Sequence, residues 1–416
     1  MYTIGILSTI ARRLRCATIY SDSGGIAMYK TTIGLTPLQR VYSGRPCAEA
    51  LAEEATLQGA KRIFLVCSNT LRHKTGEVAR IEAALGDRLV GIFDSVRPHV
   101  PREDVCAAMA MAEPLKPDLL ISLGGGSVTD CTKILAVCLK HGLRTPDSME
   151  PYHVVVNPDR TVTLPAFEGP EIPVVIVPTT LSGGEFNPLS GATCKKINVK
   201  QAYFHPAMTA RAIVLDPAVT VHTPEWIWFS TGVRSLDHCF ETLGSLNSNH
   251  YWDGMAMNGL RLLSQGLTAV KADANDLSAR QACQEGAWCS MVAIVSGLPM
   301  GISHAVGHAL GGSFDVPHGY TSCVMAPFAL DFNAPVNGHR QKLISTALGE
   351  PDTAASVLAD RLIRSLGMPR SLTAVGLKET DLEPLAGFTF QDIWCGTNPR
   401  PVPDSSALID LLRRAL

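Results

Sequence analysis

At 416 residues the chain is too long for one compact core and suits two domains of ordinary size. A hydrophobic share of 46% and a charged share of 18% allow large cores and exclude a disordered chain. The formal net charge of -2 gives no electrostatic reason to expect a nucleic-acid or anionic-membrane partner.

The 12 cysteines are scattered, with no Cys-x-x-Cys pair. Several fall in apolar or helical stretches, which points to buried free thiols in a reducing cytoplasm rather than to a disulfide framework. The apolar run Tyr2 to Ala11 precedes Arg12, Arg13 and Arg15, the wrong polarity for a secretory signal. No apolar run reaches the roughly 20 residues of a membrane helix. The expectation is a cytoplasmic protein with a small-molecule substrate.

In chain order, the first 35 or so residues are rich in Thr, Ile and Tyr and suggest short strands or a packing arm. Ala48 to Leu57 reads as a helix ended by Gly59. Arg62 to Cys67 is the apolar, β-rich run that a buried parallel strand requires, and Val90 to Phe93 is a second. Val105 to Glu113 reads as a helix, Asp118 to Leu123 as a third strand, Val128 to Leu139 as a helix ended by Gly142, and Val174 to Val177 as a fourth strand. Strands alternating with helices imply a parallel sheet covered on both faces. After about Asp216 strand-like runs give way to helical patterns at Trp252 to Val270, Leu277 to Val295 and Ala354 to Ser365. The fold class expected is an α/β dinucleotide-binding domain with a Rossmann-like parallel sheet over residues 1–215, followed by an all-α domain over 216–416.

The third strand runs into Gly124-Gly125-Gly126-Ser127, and a helix begins at once. Glycines let backbone approach a phosphate, and a helix start offers unpaired N–H groups and a positive dipole end. The loop is not Gly-x-Gly-x-x-Gly, so a plain tight turn is the competing reading. A second polar turn, Pro178-Thr179-Thr180-Leu181-Ser182-Gly183-Gly184-Glu185, also follows the carboxyl end of a strand, where open α/β sheets bind ligands. The pair favours a nucleotide.

In the helical half, His304 and His308 lie four apart on one helix face, and His318 follows in what reads as a turn. Upstream, Arg234, His238 and Glu241 share a helical stripe. Imidazoles from two helices and a turn could bind iron or zinc, or be satisfied core histidines. A metalloprotease needs Glu directly after the first His of the pair, and Ala305 stands there.

These motifs together resemble the iron-type alcohol dehydrogenases, most closely the branch containing the maleylacetate reductases. The resemblance runs from about Pro37 to Pro401. It rests on Gly124-Gly125-Gly126-Ser127-x-x-Asp130-x-x-Lys133, Pro178-Thr179-Thr180, Asp216-Pro217, the helix around His238, the His304, His308 and His318 run, and Asn398-Pro399-Arg400-Pro401. It implies an N-terminal dinucleotide-binding domain, a C-terminal helical domain and an active site between them, with NAD or NADP as cofactor. By the same resemblance Gly125, Gly126, Ser127 and Asp130 line the cofactor's pyrophosphate and nicotinamide ribose, and Thr179, Thr180 and Ser182 flank its nicotinamide end. His238, His304 and His318 match three metal ligands, for Fe or Zn. His308 matches a residue beside the nicotinamide, suited to proton transfer.

Two positions depart from the family pattern. The metal-binding Asp expected four residues before His238 is Arg234, whose fixed charge repels a cation. Arg234 is therefore expected to replace the metal's charge, polarising a carbonyl or clamping a carboxylate. Asp237 points about 100° away from His238 on an ideal helix and is a poor substitute ligand. The second departure is Ser68-Asn69-Thr70 where the family often carries an Asp for the adenosine ribose, which leaves NADPH allowed beside NADH. Hydride transfer to a keto acid such as maleylacetate is the leading expectation, and oxidation of a simple alcohol the alternative. A dehydroquinate synthase-like lyase and a nucleotide-binding protein without catalysis are the rivals of another class. A homo-oligomer, most simply a dimer, is expected.

Overall fold

The computed structural model describes residues 31–416 apart from Pro158 and Arg160. Most of the expected N-terminal arm lies outside these residues. The first strand, β1, is Arg40–Ser43, followed by helix α1 (Cys47–Leu57), β2 (Ile63–Cys67), α2 (Asn69–Lys74), α3 (Glu77–Leu85) and β3 (Leu89–Phe93). Helix α4 (Arg102–Ala112), β4 (Leu119–Gly124) and α5 (Gly126–His141) come next. A short hairpin, β5 (Val155–Val156) with β6 (Val162–Thr163), precedes β7 (Val174–Pro178). A second hairpin, β8 (Leu189–Cys194) with β9 (Val199–Phe204), precedes β10 (Ala212–Leu215).

Six strands form one all-parallel sheet in the order β1-β10-β7-β4-β2-β3. The alternation of side chains splits its core into two layers. Phe64, Val66, Leu120, Val174, Ile176, Ile213 and Leu215 face a cluster that includes Met109 of α4 and Ile134 of α5. Ile63, Leu65, Cys67, Leu119, Ile121, Val175, Val177 and Val214 face Leu51 of α1 and Ile81 of α3. Burial on both faces is why β2, β4 and β7 read as unbroken apolar runs. The four expected strands are present. β1 and β10 were not legible, being four residues each and, in β1, mixed in polarity (Arg-Val-Tyr-Ser). The hairpins were missed as well: β5 and β6 are two residues each, and β8 and β9 mix buried Ala192 and Tyr203 with exposed Leu189 and Val199.

After Leu215 all regular elements among the described residues are helical. They are α6 (Pro217–Thr220), α7 (Glu225–Gly244), α8 (His250–Ala272), α9 (Leu277–Val295), α10 (Ile302–Ser313), α11 (His318–Ala347), α12 (Ala355–Ser365), α13 (Leu382–Gln391) and α14 (Ile409–Ala415), with short 3-10 turns between. His318, expected in a turn, is the first residue of α11. That helix holds Pro327 and Pro335 and bends at Asn337. The apolar faces of α7, α8 and α9 close one core around Leu236, Phe240, Leu260 and Leu263. A second core joins α10, α13 and α14 through Val306, Leu310, Leu385 and Leu412. No helix among the described residues is long and apolar enough to cross a membrane.

Candidate functional site

The carboxyl ends of the parallel strands deliver the first half of the site. At the end of β4, a Cβ on Gly124 would sit 2.7 Å from Val128 Cγ2, and one on Gly125 would sit 3.0 Å from Thr180 Cγ2. The chain turns from strand into α5 with no side chain capping the helix start. Uncapped N–H groups beside a glycine loop are what a pyrophosphate needs, so these residues fit a dinucleotide. The loop after β7 lies alongside: Thr179 N–H donates to Gly124 O at 3.0 Å, and Thr180 Oγ1 lies 3.2 Å from Ser182 Oγ. This loop is moored to the helical half as well. Thr231 Oγ1 accepts from Leu181 N–H at 3.1 Å, Thr223 donates to Thr179 O at 2.7 Å, and the Ser235 hydroxyl donates to Leu181 O.

Lys133 fixes the far end of the same loop. Its ammonium is buried under α5 and donates to the carbonyls of Gly184 (2.9 Å), Asn187 and Leu189 (3.1 Å). Burial pulls its pKa down to about 8. Lys133 belongs to the sequence motif, and its tethering role appears only once the loop is seen to fold over it. Ser127 stands in the first turn of α5. Asp130, one turn further on, pairs with Lys200 Nζ of β9 at 2.9 Å. Ser68 N–H donates to Leu123 O, and its hydroxyl caps α2 by accepting from Leu71 N–H at 3.3 Å. Asp94, directly after β3, accepts from Arg72 at 3.1 Å, with His73 Nε2 at 2.7 Å.

The helical half supplies the second part. Arg234, Asp237, His238 and Glu241 all project from α7 and are buried or nearly so. Arg234 Nη1 donates to Ser322 Oγ at 3.0 Å and lies 3.9 Å from Asp237 Oδ2. Asp237 Oδ2 accepts from Ser303 Oγ at 2.8 Å and Ser322 Oγ at 2.7 Å, so Ser322 bridges guanidinium and carboxylate. Glu241 accepts Gly301 N–H at 2.8 Å and Ser303 N–H at 2.9 Å, at the start of the helix that carries His304 and His308. Burial raises the pKa of both carboxylates, and the Glu241 charge adds to the rise at Asp237. Burial and the Arg234 charge keep His238 and His304 neutral, with pKa values well below the usual histidine range.

The predicted histidines gather in two pairs. The His238 and His304 rings stack with centroids 5.1 Å apart, and those of His308 and His318 are 6.5 Å apart. His238 Nδ1 lies 3.4 Å from Ser290 Oγ, while His308 Nδ1 lies 2.9 Å from Asp392 Oδ2. Among the described residues the tightest group with metal-binding side chains is a different one: Asp237, Glu241 and His304, whose ligand atoms lie within 4.8 Å of one another. Asp237 Oδ1 and His304 Nε2 are buried there without a hydrogen-bond partner.

These residues do not fit a metal well. Arg234 brings a fixed positive charge to 3.9 Å from Asp237, against any ion held there. Glu241 is committed to the N–H groups of α10, and Asp237 Oδ2 to two hydroxyls. Asp237 Oδ1 and His304 Nε2 are left open, while His304 Nδ1 lies 2.7 Å from Glu241 Oε2. The guanidinium instead balances one carboxylate, and burial, by raising the pKa of both Asp237 and Glu241, favours a proton on the other. Asp237 was set aside in the sequence because it points away from His238. The structure explains its place: it turns toward Ser303 of α10 and Ser322 of α11, where Arg234 also reaches.

Two family models match the chain, one described as iron-containing alcohol dehydrogenase over residues 38–217 and one as the C-terminal part of that family over residues 228–416. Dehydrogenase ALT3 of Alternaria alternata is 32% identical, the alignment covering 86% of this chain and 99% of that protein. The maleylacetate reductase of Pseudomonas sp. (strain P51) is 29% identical, over 92% of this chain and 96% of that protein. The crystal structure of maleylacetate reductase from Agrobacterium tumefaciens superposes with a TM-score of 0.78 at 26% identity, covering 94% of this chain and 99% of that one.

Glu185 lies buried in the loop held by Lys133, and burial pushes its pKa up to about 7 from an ordinary 4.5. A folded pKa above the unfolded one means that its contribution to stability is complete below about pH 4.5 and is lost as pH rises through about 7. The loss is on the order of 3 kcal/mol at most. Glu185→Gln should therefore gain in melting temperature over wild type steadily between pH 5 and 8. A constant difference across that range would refute the assignment.

Proposed function

The chain belongs to the iron-containing alcohol dehydrogenase family, whose members are NAD(P)-dependent oxidoreductases, and we propose that it reduces a small keto acid with Arg234 in the place of the family's metal. The supporting observation is the buried guanidinium itself, held by Ser322 and facing Asp237 between three helices. The glycine loop at α5 and the Thr179–Ser182 loop hold the dinucleotide, with Gly125, Gly126, Ser127, Asp130, Thr180 and Ser68 along its length. Bound there, the cofactor supplies the hydride that adds to the carbonyl carbon.

The chain's own residues handle the charge that then appears on oxygen. Arg234 offers preoriented N–H donors in a site from which water is largely excluded, where such donors are worth most. His308, on the open side of α10, delivers the proton that converts alkoxide to alcohol. His238 and His304, neutral, stand near Arg234 without adding charge. A keto acid fits better than a simple aldehyde because a guanidinium matches a carboxylate in both geometry and charge. The names of the maleylacetate reductase relatives support the same substrate class.

Removing one preorganised donor from such a site costs about 10²–10³ in kcat. Arg234→Ala should lose that much in NADH or NADPH oxidation with maleylacetate, while Kd for the nucleotide changes little. Arg234→Lys should recover only part of it. An alanine variant within threefold of wild type would remove Arg234 from the chemistry.

We infer a dimer as well. Among the described residues β1 is an edge strand bonded only to β10, and a strand edge can take up a second chain. Light scattering coupled to gel filtration should then report twice the 44.5 kDa chain mass. A mass of one chain at micromolar concentration would contradict the dimer. The eleven described cysteines, all free, suit a reducing cytoplasm.

A further inference from the structure

Helix α10 carries both His304 and His308, yet no residue of its own caps it: the N-cap is Gly301, which has no side chain. Its first three N–H groups are satisfied from elsewhere. Gly301 and Ser303 donate to Glu241, and Ile302 donates to Asn398 Oδ1 at 3.0 Å. Asn398 is itself locked by a reciprocal amide pair with Asn333, at 2.7 and 3.0 Å, and its Nδ2 also donates to Arg400 O at 2.7 Å. Thr397 donates to Met300 O at 2.5 Å, tying the same segment to the residue before the cap. The fit is close: a Cβ on Gly301 would sit 2.8 Å from Asn398 Oδ1 and 3.2 Å from Glu241 Oε1.

The same segment reaches the helix a second time. Asp392 Oδ1 accepts Trp394 N–H at 2.9 Å, which fixes the carboxylate, and Oδ2 lies 2.9 Å from His308 Nδ1. A carboxylate can only accept, so this contact places a proton on Nδ1 of His308 and leaves Nε2 as the nitrogen free for proton exchange with substrate.

We propose that the Asp392–Arg400 segment is a positioning clamp for the catalytic helix, Asn398 fixing its first turn and Asp392 fixing the tautomer and ring orientation of His308. This gives the Asn398-Pro399-Arg400-Pro401 motif a physical role. The prolines stiffen a stretch whose amide must meet a helix end and whose upstream carboxylate must meet an imidazole. The assignment of the clamp stands on geometry. Its consequence for turnover rests on the reading of His308 as proton donor, and the two are separable by experiment.

The test uses the full-length protein with ¹⁵N-labelled histidine. In wild type, long-range ¹H–¹⁵N spectra should show His308 as the Nδ1–H tautomer. In Asp392→Asn, whose side chain is nearly the same shape, the Nδ1–H form should lose its preference, and kcat should fall about 10- to 100-fold with KM for the nucleotide within twofold of wild type. Asp392→Glu, which keeps the carboxylate, should restore part of kcat. An unchanged tautomer in Asp392→Asn would overturn the clamp. A changed tautomer with unchanged kcat would uphold the clamp and remove His308 from the chemistry. For the first turn, Asn398→Asp retains an acceptor for Ile302 N–H and is the variant to use if Asn398→Ala does not fold. Amide exchange at Ile302 should quicken at least tenfold in Asn398→Ala and much less in Asn398→Asp. Equal exchange in Asn398→Ala and wild type would overturn the role of Asn398.

Discussion

A positive charge that cannot be discharged sits in the middle of the helical half, and the side chains around it are arranged to hold it there. Arg234 is buried, and an isolated guanidinium in that position would be very costly. Ser322 accepts from it, Asp237 faces it, and Glu241 adds a second negative charge one turn further along α7. These partners come from α7 and α11, and Asp237 and Glu241 in turn hold Ser303 of α10, so the same network fixes α7, α10 and α11 relative to one another. Most buried ion pairs contribute little net stability; what they specify is geometry. Here the geometry specified is that of the proposed active site.

The α/β half contributes a different kind of precision. Its loops are set by backbone close approach, at Gly124 and Gly125, and by a buried ammonium that gathers three carbonyls. Thr223, Thr231 and Ser235 carry this register across to α7 and the turn before it. The nucleotide loop and the helix bearing Arg234 are therefore one hydrogen-bonded unit. Under the proposed function, this unit keeps a hydride donor on the loop and a carbonyl at Arg234 in fixed relation, as transfer over a short distance demands.

Much of this was legible in the sequence because it rests on local signals. Buried parallel strands read as apolar runs, the Gly124–Ser127 loop announced itself by composition, and His304 and His308 by helical spacing. The replacement of an expected Asp by Arg234 was visible only through the family resemblance, which supplies the expectation. The failures have physical causes. β1 and β10 are too short to carry periodicity. Asp237 was judged from its own helix, when what fixes its role is Ser303 and Ser322 on two others. Asp392 meets His308 across 84 residues of sequence, and Asn398 meets Ile302 across 96, distances over which no local pattern signals contact.

The claim that Arg234 has taken over the work of a metal is tested most directly by elemental analysis of the purified protein, paired with turnover in the presence of a strong chelator. Iron and zinc should each lie far below one equivalent per chain, and the chelator should leave the rate unchanged. One equivalent of either metal, with activity lost on chelation and restored by adding the metal back, would contradict that claim.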